Sequence, residues 1–212
     1  MRYYWHFITG ISVIGAIVLL FFVFSLRVKN EITFTDDNAI TRPTVTFVDP
    51  SQGPSTAKVT IVNFGDYECE GCAGMEQTLA TLRQDFPDDV RIVWKDMPNP
   101  SHAESRNAAI AARCAGEQDK FWEFHDLLFA NQNQLSSDLY TLIAEELELR
   151  DRAFASCVEE SETAPLVDRT YEEGLALQLT ATPTLFVNNE RYTGEVDLST
   201  LKAIVRGIIA AP

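Results

Sequence analysis

The chain has 212 residues, with 17 basic against 31 acidic side chains, a formal charge of −14 and 46% apolar residues. An acidic surface of this kind is repelled by phosphate backbones, which argues against nucleic acid as a partner, and the length leaves room for one domain with a real core. Four cysteines, Cys69, Cys72, Cys114 and Cys157, are too few for a disulfide-dense mini-protein.

The chain opens on an uncharged run from Phe7 to Leu26 that includes Ile8, Ile11, Ile14, Leu19 and Phe22. Its length suits a helix crossing a bilayer, and Tyr3, Tyr4 and Trp5 precede it where amphipathic rings favour the membrane interface. Residues 1–27 are therefore expected to be an N-terminal transmembrane anchor. A cleaved signal is the alternative, with Val23 and Ser25 in the small-residue positions, although bulky Phe22 and Phe24 flank them. Arg2 on one side and Arg27, Lys29 and Arg42 on the other leave the orientation open. An extracytoplasmic domain is expected because paired cysteines persist in oxidising compartments.

Residues 28–57 are polar, with Pro43, Pro50, Gly53 and Pro54, and read as a linker carrying a short strand at Thr44 to Val48. The folded domain is expected over 58–212. Val59 to Phe64 is a β-branched run of buried-strand character, and Met75, Leu79, Leu82 and Phe86 then recur at helical spacing. Val90 to Lys95 is a second strand, completing a strand–helix–strand unit. Ser101 followed by Glu104 has the pattern of a capping box opening a helical section. Phe121, Phe124 and Leu128, then Leu139, Leu142, Ile143 and Leu147, supply further helical faces, and another stretch runs from Pro165 to about Leu179. Thr184 to Val187, the turn Asn188-Asn189 and Arg191 to Thr193 form a hairpin. Leu198, Leu201, Ile204, Val205 and Ile208 make a closing helix.

Cys69-Glu70-Gly71-Cys72 lies between the first strand and its helix. A cysteine at a helix start meets unsatisfied N–H groups and the positive end of the dipole, so its thiolate is favoured. A second cysteine one turn inside can resolve a mixed disulfide. A zinc site would need two more ligands at compatible spacing. None is evident, since His102 and His125 are isolated and read as surface or packing residues. No metal or organic cofactor is expected.

At these residues the chain resembles the thioredoxin-fold oxidoreductases with a helical insertion that are similar to the disulfide oxidase DsbA. The resemblance spans about Lys58 to Ile209. It rests on Phe64-Gly65-Asp66-Tyr67-Glu68-Cys69-Glu70-Gly71-Cys72, on Ala111-Ala112-Arg113-Cys114 with Phe121 to Asp126, and on Thr182-Pro183-Thr184 before the late strand. It implies an α/β thioredoxin-like fold with a helical insertion at about 101–165, a cis bond at Pro183, and a backbone at Thr182 that docks an extended substrate. Thr182-Pro183 without the resemblance is an ordinary strand-entry turn. Cys114 and Cys157 are expected to form a structural disulfide, in a region where relatives often carry one. A second redox pair or two buried thiols are the alternatives.

Two departures from the family bear on mechanism. Relatives commonly place a buried carboxylate six residues before the first cysteine, where this chain has Asn63, a neutral amide that cannot take a proton from Cys72. Lys95 resembles a lysine that often accompanies that carboxylate. Glu70, with Glu68 and Asp66, adds negative charge expected to raise the Cys69 pKa and make the pair more reducing than the strongest oxidants of the family.

The resemblance thus implies an extracytoplasmic enzyme that forms disulfides through Cys69 and Cys72. Its partners would be cysteine-containing secreted or membrane proteins and a membrane-bound recycling protein. A reductase or isomerase is the alternative within the class, and a redox-inert chaperone or binding module the alternative outside it.

Overall fold

A computed structural model describes residues 40–211 and, before them, Leu19 alone. The expected anchor lies outside the described residues. Among those described, no helix is long and apolar enough to cross a membrane.

Five strands form one sheet: β1 (Ser51–Gln52), β2 (Val59–Gly65), β3 (Val90–Asp96), β4 (Thr184–Val187) and β5 (Glu190–Thr193), in the spatial order β1-β3-β2-β4-β5. β2 and β3 are parallel, with Val59 opposite Val90 and Gly65 opposite Asp96, whereas the other pairs are antiparallel. Parallel neighbours need a crossover, and α1 (Glu70–Asp85) supplies it. The two-residue connection Asn188-Asn189 closes the β4–β5 hairpin, with Asn188 in the left-handed region at φ 54°.

Both faces of the sheet are covered, which is why β2 and β3 read as near-continuous apolar runs. On one face Val59, Ile61, Val90, Ile92 and Leu185 pack against Met75, Leu79 and Leu82 of α1 and against Leu201 and Val205 of the closing helix α7 (Leu198–Ala210). On the other, Val62, Phe64, Val93 and Phe186 pack with Met97, Leu177 and Leu179.

Between β3 and β4 the chain builds α2 (Ser105–Gly116), α3 (Phe121–Ala130), α4 (Ser137–Glu146), α5 (Asp151–Glu159) and α6 (Ala164–Ala176). Ala108, Ala111, Ala112, Phe124, Leu128, Ile143 and Phe154 fill a second core there, and Tyr67 and Trp94 join it to the sheet. Cys114 of α2 is bonded to Cys157 of α5. Closing a loop of this length stabilises the fold by about 4 kcal/mol in the chain-entropy model.

Three sequence expectations change. Ser101 does not cap α2; the helix starts at Ser105, and the N–H groups of Glu104 and Ser105 both donate to Glu68 Oε2 at 2.6 Å. A carboxylate from another loop neutralises the helix end more effectively than a hydroxyl would. The folded body also begins before Lys58. Lys95 Nζ donates to the Thr44 carbonyl at 2.7 Å, Arg113 Nη1 to that of Val48 at 2.9 Å, and Ser51 and Gln52 pair with β3. The segment from Thr44 to Val48 forms no strand, and its Thr44 and Val48 carbonyls accept from buried Lys95 and Arg113.

Candidate active site

The loop that ends β2 is fixed residue by residue. Gly65 is required there, because a Cβ would lie 2.3 Å from the Trp94 ring. Buried Asp66 accepts from Glu68 N–H and Asn99 N–H, each at 2.8 Å, and its Oδ2 also lies 2.8 Å from His102 Nδ1. Tyr67 enters the aromatic core, where its hydroxyl lies 2.8 Å from Nδ1 of fully buried His125. Gln132, on the short turn after α3, donates at 2.8 Å to the carbonyls of both Tyr67 and Cys69.

These ties hold Cys69 at the N-cap of α1, with extended backbone at φ −81° and ψ 116°, and its carbonyl accepts Cys72 N–H at 3.0 Å. The Cys69 thiol is half-buried and donates to the Thr182 carbonyl at 3.4 Å, while Cys72 is fully buried. The Thr182–Pro183 bond is cis. The structure thus brings Cys69, Cys72, Thr182 and Pro183 together.

The two thiols are driven apart in acidity. A hydrogen bond from the Cys72 side chain, aided by the Cys72 backbone, lowers the Cys69 pKa to about 6 against burial and the Asp66 charge. Burial, followed by the bond to Cys69 and its charge, pushes Cys72 well above an ordinary thiol. The outer sulfur is therefore a thiolate at neutral pH and the inner one stays protonated. The pH profile of Cys69 alkylation is accordingly expected to have its midpoint near 6; a midpoint at the ordinary thiol value of about 8.5 would contradict this assignment.

Of the three carboxylates expected to raise the Cys69 pKa, only Asp66 does so. Glu68 is turned to the start of α2 and Glu70 is exposed, leaving Asp66 as the acidic neighbour that pushes the thiol up. Three donors already surround that carboxylate, and the bonds to Cys69 outweigh it.

Asn63 and Lys95 prove to lie on opposite faces of the sheet. Asn63 pairs with Trp94, whereas Lys95 pairs with Phe64. Side chains alternate along a strand, so Lys95 points away from the cysteines. There its ammonium meets Asp49 at 3.0 Å and Glu173 of α6 at 2.9 Å. Asn63, fully buried, faces α1 and donates from Nδ2 to Glu76 Oε1 at 2.6 Å. The other Glu76 oxygen lies 3.3 Å from His125 Nε2. Glu76 was not singled out from the sequence, although its position four residues after Cys72 places it on the same face of the helix. Among the described residues no group of three or more His, Cys, Asp or Glu side chains could hold a metal ion.

Comparison with known proteins agrees with this architecture. The chain is 34% identical over 168 residues to a Na(+)/H(+) antiporter NhaA of Salinispora arenicola, a match covering 77% of this chain and 26% of that protein. The chain thus spans about a quarter of the length of the curated relatives it matches. Among solved structures, oxidised BdbD from Bacillus subtilis superposes with a TM-score of 0.73 at 23% identity, over 82% of this chain and 99% of that one. A thioredoxin-like oxidoreductase from Silicibacter pomeroyi gives 0.65 at 28% identity, over 78% and 95%. The thioredoxin family profile matches residues 46–206, and the chain therefore belongs to the thioredoxin family, in the DsbA-like form of the fold with an inserted helical subdomain.

Proposed function

We propose that this chain is an extracytoplasmic thiol–disulfide oxidoreductase that donates the Cys69–Cys72 disulfide to cysteine-containing secreted or membrane proteins. The observation that carries the reading is the half-buried Cys69 thiol, lowered to about 6 at the start of α1, above a fully buried and protonated Cys72.

In the forward direction a client thiolate attacks Cys69 Sγ of the oxidised pair, forming a mixed disulfide and releasing Cys72 as a thiolate that takes up a proton. A second client thiolate then attacks the client sulfur of that bond and expels Cys69 as its stable thiolate. The client loses two electrons and the enzyme gains them. The low pKa of Cys69 makes it the better leaving group and stabilises the reduced enzyme, which favours donation over reduction or isomerisation. A membrane-bound redox protein would restore the disulfide. Thr182 and Pro183 would line the client chain, since Thr182 already offers its carbonyl to the reacting sulfur.

The Cys114–Cys157 bond supports an oxidising compartment, as does the apolar run before Arg27. The match to the antiporters has the extent of one domain and brings no transport chemistry to this chain. The test is oxidation of a reduced dithiol peptide by the oxidised protein. Wild type should form the peptide disulfide stoichiometrically and Cys69→Ser should form none. Equal client holding by both, without oxidation by either, would favour a redox-inert module.

A further inference from the structure

A cavity of about 210 Å³ opens beside the reacting sulfur. The loop after β3 supplies Met97 and Pro98, α6 supplies Tyr171 and Leu175, and Leu179 and Thr182 complete the walls. Met97, Leu179 and Tyr171 belong to the core on the sheet face away from α1. Thr182 is also the residue whose carbonyl accepts from Cys69 Sγ at 3.4 Å, so the cavity begins one residue from the chemistry. Drug-sized ligands occupy pockets of about 300–1,000 Å³, and this smaller one has the size for a single side chain.

The lining decides which side chain. Among the described residues no acidic or basic side chain lines the cavity, although the chain carries 17 basic and 31 acidic residues. A charged occupant would lose its hydration there without a counter-charge, whereas an apolar one gains by leaving water. At the mouth Leu175 is 50% exposed, and an entering apolar side chain would cover it. The floor depends on a glycine. Glycine weakens a helix interior, yet Gly174 of α6 leaves the room that Met97 fills, since a Cβ there would lie 2.4 Å from Met97 Sδ. The flexible thioether can adapt to differently shaped neighbours. The opposite flank of the sulfur carries a charge instead. Gly194 N–H donates to the Pro183 carbonyl at 2.8 Å, and Glu195 lays its carboxylate over α1, 3.0 Å from where Cβ atoms on Gly71 and Gly74 would be.

We propose that this cavity is a client subsite that holds an apolar side chain, of the size of leucine, two residues along the client chain from the attacking cysteine. The inference rests on the functional reading above and names its substrate class. Side chains of an extended chain alternate, so with the client cysteine turned to Cys69 the residues two away, about 7 Å along, face the enzyme as well. Docking adds no redox step. The client thiolate attacks Cys69 Sγ, the Cys69–Cys72 bond breaks, and Cys72 leaves as the thiolate that takes up a proton.

The test uses the oxidised full chain and three end-blocked monothiol peptides: Leu-Ala-Cys-Ala-Leu, its counterpart with serine at both ends, and the rearranged Ala-Leu-Cys-Leu-Ala. Mixed-disulfide formation with the first should be about tenfold faster than with either of the others, the lower range for one apolar group in a pocket. Leu175→Gln, at an exposed helix position, should bring those ratios close to one. A binding arm needs no exchange: the Cys69→Ser chain, with serine replacing the peptide cysteine, should show the same order of affinity, again erased by Leu175→Gln. Equal rates for the three peptides, or ratios that Leu175→Gln leaves unchanged, would overturn the subsite. Absence of mixed disulfide with any peptide, with the order of affinity intact, would sink the functional reading and leave the subsite standing.

Discussion

Replacing Lys95 by methionine should cost about 3 kcal/mol of folding stability, the low end for breaking a buried pair, because Glu173 loses its cation and Asp49 is left with Arg169 alone. Lys95 is 1% exposed and holds Asp49, itself fully buried, Glu173 and the Thr44 carbonyl. Burial pushes the Asp49 carboxyl up, but the Lys95 charge and hydrogen bonds from Lys95 and Thr46 overcome it and hold Asp49 below its ordinary value. A lowered folded-state value stabilises the protein above the unfolded value of about 3.9, and that contribution is lost as pH falls through the folded value. Denaturant melts should therefore show the loss in the variant at neutral pH, with the gap narrowing in acid. The Cys69 alkylation profile should stay where it was. A shifted Cys69 profile with unchanged stability would restore Lys95 to the active site, where resemblance alone had put it.

The second large effect concerns Glu76. In the reverse of donation Cys72 attacks the mixed disulfide; burial holds its thiol protonated, so that attack needs a base, and Asn63 cannot be one. Glu76 lies one helical turn on and reaches the Asn63 amide at 2.6 Å. Glu76→Gln keeps an acceptor for that amide while removing the charge, so the fold should persist. Resolution of the mixed disulfide by Cys72 should slow by about 100-fold, the lower range for loss of a general base. Asn63→Asp in the same background should recover most of the rate by returning a carboxylate to the sheet. A pH–rate profile identical in wild type and Glu76→Gln would show that the proton leaves by another route.

These residues show where the sequence is legible and where it is not. Cys69 and Cys72 could be read because their relation is local: a strand, a turn and a helix start within one short stretch fix both the spacing and the dipole. The strands and α1 were legible for the same reason, through β-branched runs and helical recurrence. Lys95 was misplaced because facing depends on register; one step along β3 carries a side chain through the sheet, and motif order carries no parity. Glu68 looked like a charge beside Cys69 because its true partner, the start of α2, is distant in sequence. Gln132 and His102 gave no local signal, as each acts through one contact made only once the insertion has folded back over the cysteine loop. The polar segment from Thr44 to Gln52 passed as linker because buried ion pairs and solvated charges look alike in composition.

The reduction potential of the Cys69–Cys72 pair, measured in the full chain against glutathione, tests the central claim most directly. A Cys69 pKa of about 6 falls between those of thioredoxin, about 7, and DsbA, about 3.5. The potential should accordingly fall between about −270 and −120 mV, on the oxidising side of thioredoxin. A value at or below about −270 mV would contradict disulfide donation and recast the pair as a reductant.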